Sequence, residues 1–109
     1  FNNQRIRVSK KKNLNECLFA TGGKDKINYN LNTRKSGSAA LDMAYVGAGR
    51  YDGYFQKSLN IWDIAAGIII VNEAGGKVND IDYFSNKLID ILAGSNSIYE
   101  KMLKNLNNF

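Results

Sequence analysis

One aspartate stands before a long apolar run and is the first candidate for chemistry. Trp62-Asp63 leads into Ile64–Val71, and Glu73-Ala74-Gly75-Gly76 closes the segment. A carboxylate in the first turn of a helix can accept helix amide hydrogens or bind a divalent cation. Magnesium, however, usually takes one or two carboxylates together with water and substrate phosphate. Composition alone therefore favours Asp63 as a helix N-cap.

A second candidate is the small-residue segment Ser36-Gly37-Ser38-Ala39, which precedes another apolar run. Free backbone N–H groups and the helix dipole favour anions at such a helix start, and glycine lets a ligand approach the backbone closely. The alternative is a capped helix that packs tightly against its neighbour and binds nothing. These residues alone leave both interpretations open.

Two further patterns are better explained by structure than by chemistry. The glycine-rich run 47–53 looks like a nucleotide-binding loop, but its last spacing is one residue too long and it follows a predicted helix. We interpret it as a helix-to-strand turn. Asp80, Asp82 and Asp90 fall at predicted strand ends and turns, where aspartate is common, and we interpret them as structural.

The residue types that are absent exclude several classes of enzyme. The sequence has no histidine, which excludes histidine-ligated zinc and a histidine general base from this chain. Cys17 is the single cysteine, so no disulfide can form within the chain and a reducing, cytoplasmic location is expected. The run Ile64–Val71 is far shorter than the roughly 20 residues of a membrane span.

The net charge of +5 is concentrated near the start of the chain, at Arg5, Arg7 and Lys10–Lys12. Such a cluster could attract phosphates or nucleic acid. No aromatic residues alternate with these charges to stack on bases, so a solvated edge is the preferred interpretation and RNA binding the alternative.

The pattern of apolar residues predicts alternating strands and helices in a single domain, residues 1–109, of α/β class with layered α-β-α architecture. The chain starts at Phe1 rather than methionine, and we expect further sequence upstream. The predicted strands cover residues 5–8, 50–56, 77–80 and 88–93, and residues 22–35 are predicted to be a loop.

The predicted helices are bounded by capping signals. Asn13 and Glu16 suggest a capping box for a short helix containing Leu14, Cys17 and Leu18. One buried helix is predicted over 39–46, ending at Gly47 or Gly49, and another over 63–74, before Gly75-Gly76. Ser97 is predicted to cap a last helix, whose apolar face carries Ile98, Met102, Leu103 and Leu106.

Three runs taken together resemble the inositol monophosphatase family. They are Ser36-Gly37-Ser38-Ala39-Ala40-Leu41-Asp42, Gly49-Arg50-Tyr51-Asp52-Gly53-Tyr54-Phe55, and Trp62-Asp63-Ile64-Ala65-Ala66-Gly67 with Glu73-Ala74-Gly75-Gly76. The resemblance is strong over residues 34–80 and looser toward both ends. It implies Mg²⁺-dependent hydrolysis of small phosphate monoesters by a protein that usually dimerises, and one half of an α-β-α-β-α sugar phosphatase fold.

The same resemblance implies roles for particular residues. Asp63 matches a metal-ligating aspartate of the family, which replaces the capping role that composition favours. Gly37, Ser38 and Ala39 match the segment that touches substrate hydroxyls. Gln56 stands where the family often has a glutamate that hydrogen-bonds a sugar or inositol hydroxyl, and this change puts substrate preference in doubt.

In two other respects this sequence departs from the family, because one segment is shortened and others are missing. The connector 22–34 is shorter than in the family, and the Asp-Pro-x-Asp-Gly-Thr segment and upstream glutamate that supply the other metal ligands are absent. We therefore assign no catalytic residue, expect the missing amino-terminal half to complete the site, and expect this chain alone to be inactive. The alternatives are a non-catalytic binding module, since some bacterial relatives associate with transcription complexes, and a structural remnant.

Overall fold

The computed structural model describes residues 7–22, 31–35, 37–83 and 87–106. The strands are β1 (Phe19–Thr21), β2 (Thr33–Arg34), β3 (Gly53–Leu59), β4 (Gly76–Val78) and β5 (Ile89–Ser95). The helices are α1 (Ala39–Gly47), α2 (Ile61–Glu73) and α3 (Tyr99–Asn105), and a 3₁₀ turn covers Leu14–Glu16.

The strands form one mixed sheet in the order β2-β1-β3-β5-β4. Strand β1 runs parallel to both of its neighbours, whereas β5 runs antiparallel to β3 and β4. The register places Ala20 beside Tyr54, and Phe55 beside Leu92. Strands β2 and β3 run in the same direction on either side of β1, so the chain between them must cross over the sheet. Helix α1 lies in this connection.

Alternation along the strands divides the core into two layers, because successive side chains of a strand point to opposite faces. On one face Ala20, Tyr54 and Ile91 pack with buried residues of α1 and α2. On the other face Phe55 and Leu92 pack against α3. The predicted α/β class and layered α-β-α arrangement are confirmed.

Helices α1 and α2 pack closely because glycine leaves room at their contact. A Cβ added to Gly67 of α2 would lie 2.7 Å from the Cβ of Met43 on α1. The predicted end of α2 is confirmed: the helix stops at Glu73, and Gly75 adopts φ +91°, a conformation that L side chains rarely adopt. The predicted end of α1 at Gly47 is confirmed as well.

The predicted features near the start of the chain were largely wrong. Arg7 and Val8 have no regular strand structure, and Arg5 and Ile6 lie outside the described residues. The helix predicted after Asn13 is only a short 3₁₀ turn, and the Asn13 side chain makes no capping hydrogen bond. The loop predicted over 22–35 contains β2, while 23–30 lie outside the described residues.

The last predicted helix is present as α3, but its predicted N-cap was wrong. Ile98 occupies the N-cap position, and the Ser97 hydroxyl instead donates to the Lys11 carbonyl over 2.6 Å. Met102 and Leu106 are buried with Ile98 as predicted, whereas Leu103 is exposed. None of the helices in the described ranges combines the length and apolar character required to cross a membrane.

Candidate active site

A cleft of about 530 Å³ opens where β1 and β3 end and α1 and α2 begin. It brings together all five residues that the sequence predicted for a site, namely Gly37, Ser38, Ala39, Gln56 and Asp63. The other lining residues are Gly22, Ala40, Leu59 and Trp62. In open α/β sheets, ligands commonly bind beside the carboxyl ends of the parallel strands, which is where this cleft lies.

The start of α1 forms one wall of the cleft. Ser38 is the N-cap, and its Oγ accepts a hydrogen bond from the Leu41 N–H over 3.2 Å. Gly37 has φ +83°, and no atom lies within 4 Å of where a Cβ would stand. Glycine is therefore needed at 37 for its backbone conformation, and the start of α1, with its partial positive charge, faces the cleft. Ser36 lies outside the described residues.

Asp63 lies in the first turn of α2, two residues inside the helix. The N-cap is Asn60, whose carbonyl accepts the Asp63 N–H over 3.1 Å and whose side chain makes no capping hydrogen bond. The capping role that composition favoured for Asp63 is therefore wrong. Its side chain is exposed and, within the part of the chain that the structure describes, its carboxylate has no hydrogen bond or ion pair. It is available to a ligand.

Gln56 is held in the cleft by its neighbours on the sheet. Tyr54 and Gln56 share one face of β3, because alternate residues of a strand point the same way. The Tyr54 hydroxyl donates a short hydrogen bond to Gln56 Oε1. Gly22 packs against the same amide: a Cβ there would lie 2.5 Å from Oε1. The Gln56 side chain is thus fixed in position.

An irregularity in β3 sets the entry into α2. The register with β5 shifts between Gln56 and Leu59, and Ser58 adopts φ +63°, a conformation uncommon outside glycine. Asp90 stabilises this bulge: its Oδ1 accepts the Ser58 N–H over 3.1 Å, and its Oδ2 lies 3.8 Å from Lys57 Nζ. The structural interpretation of Asp90 agrees with these contacts.

Among the described residues, a single acidic side chain lines the cleft. Within residues 7–22, 31–35, 37–83 and 87–106, no three histidine, cysteine, aspartate or glutamate residues come together as a metal site. That acidic side chain is Asp63. It could supply one oxygen ligand to a hard cation such as Mg²⁺, which also takes water and substrate oxygens.

Sequence reasoning missed Gly22, Leu59 and the position of Trp62 on the rim, where that side chain is 89% exposed. Gly22 follows β1, and β1 was not predicted, because the three residues of Phe19-Ala20-Thr21 are too few to show a period. A usable signal was the apolar pair Phe19-Ala20, separated by one residue from Gly22-Gly23.

The sequence model of the inositol monophosphatase family matches residues 1–108. The chain belongs to this family. Similar members include the fructose-1,6-bisphosphatase/inositol-1-monophosphatase of Thermotoga maritima, 50% identical over 96 residues that cover 80% of this chain and 36% of the relative. The Nus factor SuhB of Escherichia coli K12 is 38% identical over 122 residues, 96% of this chain and 46% of that protein.

The solved structures show the same family fold. The extragenic suppressor protein suhB of Bartonella henselae superposes with a TM-score of 0.83 at 39% identity, covering 99% of this chain and 49% of that protein. This chain of the inositol monophosphatase family thus spans about half the length of the relatives that it matches.

Proposed function

We propose that this chain forms one wall of the active site of a magnesium-dependent phosphatase that hydrolyses small phosphate monoesters such as inositol monophosphate. The observation that carries the proposal is the cleft itself: an unpaired carboxylate, the amino-terminal end of α1 and a fixed amide face the same volume in a chain of this family. These groups suit a metal ion, an anion and a polar substrate body respectively.

Asp63 is the proposed metal ligand. Its carboxylate is exposed in the cleft, and an oxygen donor of this type suits Mg²⁺. When bound, the metal would polarise the phosphoryl oxygens and lower the pKa of a bound water. Among the residues that the structure describes, one carboxylate lines the cleft, so the remaining ligands are proposed to come from a part of the protein corresponding to the other half of its relatives.

The substrate is proposed to contact the start of α1 and Gln56. Gly37, Ser38 and Ala39 place backbone groups at a helix start, which favours the negatively charged oxygens of a phosphate ester. Gln56 faces the same volume from β3 and would hydrogen-bond the organic part of the substrate.

The chain alone is proposed to be inactive, because several converging carboxylates are needed for metal-assisted phosphate hydrolysis and the described residues place one in the cleft. The test is phosphate release from inositol monophosphate with Mg²⁺, by the chain alone and after mixing with an amino-terminal fragment of the Thermotoga maritima relative. Activity is expected only in the mixture, and only with Asp63 intact. Robust turnover by the chain alone would contradict the proposal.

We also propose that the protein forms a homodimer and that it is located in the cytoplasm. Sedimentation equilibrium of the protein tests the first part, with a mass of two subunits expected. Cell fractionation tests the second, with the protein expected among the cytoplasmic proteins rather than in the membrane pellet.

A second candidate function, binding to RNA, is favoured by a specific observation. A hollow of about 380 Å³ is lined by Arg7, Lys10 and Lys12 together with Ser9 and Asn96, and none of its described lining residues is a carboxylate. Relatives named Nus factor SuhB share this region of the sequence. RNA binding that weakens with rising salt, and that is weaker at any one salt concentration when Lys10, Lys11 and Lys12 are neutralised, would support it. A binding curve unchanged by salt would count against it.

A further inference from the structure

The bulge in β3 changes which residues of the strand face α1 and α2. Between the pairs Gln56–Ile91 and Leu59–Ile89, β3 has two residues where β5 has one. In a regular strand, residues 54 and 59 would lie on opposite faces, because successive side chains alternate. Instead, Tyr54 and Leu59 pack in the same core cluster, with buried residues of both helices. The extra residue therefore turns Leu59 toward the cleft, which it lines.

Asp90 is the residue of β5 that lies opposite the two bulged residues, and its side chain contacts both of them. Its Oδ1 accepts the Ser58 N–H over 3.1 Å, and its Oδ2 lies 3.8 Å from Lys57 Nζ. Among the described residues, Ser58 is the one residue other than glycine with a positive φ, at +63°. Such a conformation costs free energy in an L residue and persists where surrounding contacts hold it. The hydrogen bond to the charged Asp90 oxygen is a contact of this kind.

The backbone that carries Asp90 is itself held by Asn79, which follows β4. The Asn79 Nδ2 donates to the Asp90 carbonyl over 2.9 Å, and its Oδ1 accepts the Leu92 N–H over 2.8 Å. The Asn79 side chain thus continues the pairing of β4 with β5 beyond the last paired residue, Val78. The Asp90 carboxylate therefore projects from a strand that is fixed on the β4 side.

The bulge leads directly into the first turn of α2. Leu59 is the last residue of β3, Asn60 is the N-cap of α2, and Asp63 lies in the first turn. The Asn60 side chain makes no capping hydrogen bond, so no side-chain cap fixes the direction in which this turn begins. A change in the Ser58 backbone would therefore be passed on to the first turn of α2 and to Asp63.

We propose that Asp90 is a positioning residue. By holding Ser58 in its left-handed conformation, Asp90 fixes the first turn of α2 and keeps the Asp63 carboxylate at the cleft. Asp90 is not among the residues that line the cleft, so it acts through the backbone rather than on a ligand. The inference rests on the proposed function in one respect, namely that the purpose of this positioning is to present Asp63 to Mg²⁺.

The test compares variants that separate the hydrogen bond, the charge and the backbone conformation. Asp90→Ala removes the acceptor of the Ser58 N–H, whereas Asp90→Asn keeps an oxygen acceptor and loses the charge. Ser58→Gly allows a positive φ without a steric cost. It is made alone and together with Asp90→Ala, which completes a double-mutant cycle. Asp80→Ala is the control, since Asp80 is exposed and lies outside the lining of the cleft.

Two NMR readouts are taken on the folded chain without denaturant. Nuclear Overhauser effects from the Leu59 methyl groups to the core cluster shared with Tyr54 report whether the bulge is kept. Amide signals of the first turn of α2, followed during a Mg²⁺ titration, report metal affinity at Asp63. The first readout needs no metal, so a failure of the proposed metal site and a failure of this inference are distinguishable.

Asp90→Ala should weaken the Leu59 contacts and lower Mg²⁺ affinity about fivefold, because the binding-competent conformation is then only partly populated. Asp90→Asn should retain most of the parent affinity, and Asp80→Ala should change neither readout. Adding Ser58→Gly to Asp90→Ala should restore both readouts, because glycine holds the bulge conformation without the hydrogen bond.

Unchanged Leu59 contacts in Asp90→Ala would overturn the inference. A loss of Mg²⁺ affinity that Ser58→Gly does not reverse would also overturn it, since Asp90 would then act by its charge and not through the Ser58 backbone. If the parent chain binds no Mg²⁺, Asp63 is not the metal ligand, and the Leu59 contacts still decide the positioning role. If Asp90→Ala does not fold, Asp90→Glu replaces it: this variant keeps the charge but displaces the acceptor, and the same losses are expected.

Discussion

The two ends of the central strands β1 and β3 each present an aspartate, and the surroundings of the two carboxylates are opposite. At the start of β3, Asp52 is 1% exposed, and its Oδ2 accepts the Leu18 N–H over 2.7 Å and lies 3.4 Å from Lys11 Nζ. At the far end, Asp63 is exposed and has no partner within the described residues.

The backbone around Asp52 makes the same connections. Its N–H donates to the Leu18 carbonyl over 2.8 Å, and its own carbonyl accepts the Ser95 N–H over 3.0 Å. Asp52 thus joins the start of β3 to the segment before β1 and to the last residue of β5. A buried carboxylate needs such partners, because desolvation of an unpaired charge is costly. One end of the strands is thus tied into the fold, and the other is the end that we propose to bind a ligand.

The largest effect should come from Asp52. Asp52→Ala removes the acceptor of the Leu18 N–H and the partner of the half-exposed Lys11, so we expect a loss of about 3 kcal/mol in the free energy of unfolding. Urea denaturation followed by circular dichroism measures it. Asp63→Ala is the matched control and should change stability by about 0.5 kcal/mol or less. Equal losses in the two variants would break the comparison.

The pKa of the Cys17 thiol is a second property that depends on the buried Asp52. The thiol is buried, and burial followed by the charge of Asp52 raises its pKa from 9.0 to about 11. The folded chain therefore holds the thiol proton at pH values where the unfolded chain has lost it. The contribution to stability is complete below pH 9.0 and is lost as pH rises toward 11.

Urea denaturation at pH 8 and pH 10.5 tests this expectation. The parent chain should lose about 2 kcal/mol more than Cys17→Ala over that interval, because the variant has no thiol to titrate. Asp52→Asn should reduce the difference, since it removes a charge that raises the thiol pKa. Identical losses in the parent and Cys17→Ala would show that the thiol is not protected.

At the exposed end of the strands, substitution of Asp63 should change metal binding rather than the free energy of unfolding. Mg²⁺ titration by NMR is expected to shift signals from the first turn of α2, near Asp63, and Asp63→Asn should weaken this binding about tenfold because it removes the charge and one donor oxygen. Asp80→Asn is a suitable control, since that aspartate is exposed and lies outside the lining of the cleft. Shifts that persist unchanged in Asp63→Asn would place the metal elsewhere.

The same contrast explains which parts of the molecule could be predicted from sequence. The helices α1 and α2 were found because long apolar runs end at glycine, and Gly75 does adopt a left-handed conformation. The site residues came from local runs that resemble a family, and the cleft does bring them together. Their roles as ligands stay predictions.

What sequence reasoning missed depends on contacts between distant segments. Strand β1 has three residues and is defined by its pairing with β2 and β3, which no local period reveals. Ser97 looked like a cap, but its hydroxyl is bound by the Lys11 carbonyl, 86 positions away along the chain. Asp52 was interpreted only as part of a turn, because its partners Leu18 and Lys11 are far away in sequence.

The smallest effect distinguishes the two helix starts that form the cleft. Ser38 caps α1 through a hydrogen bond to the Leu41 N–H, whereas the Asn60 side chain at the start of α2 makes none. Ser38→Ala should therefore cost about 1 kcal/mol of unfolding free energy, and Asn60→Ala only a few tenths, about 0.3 kcal/mol. Urea denaturation of both variants under one set of conditions measures the difference. If Asn60→Ala costs as much as Ser38→Ala, the start of α2 is held by a cap after all, and Asp63 would no longer stand in a turn left open for a ligand.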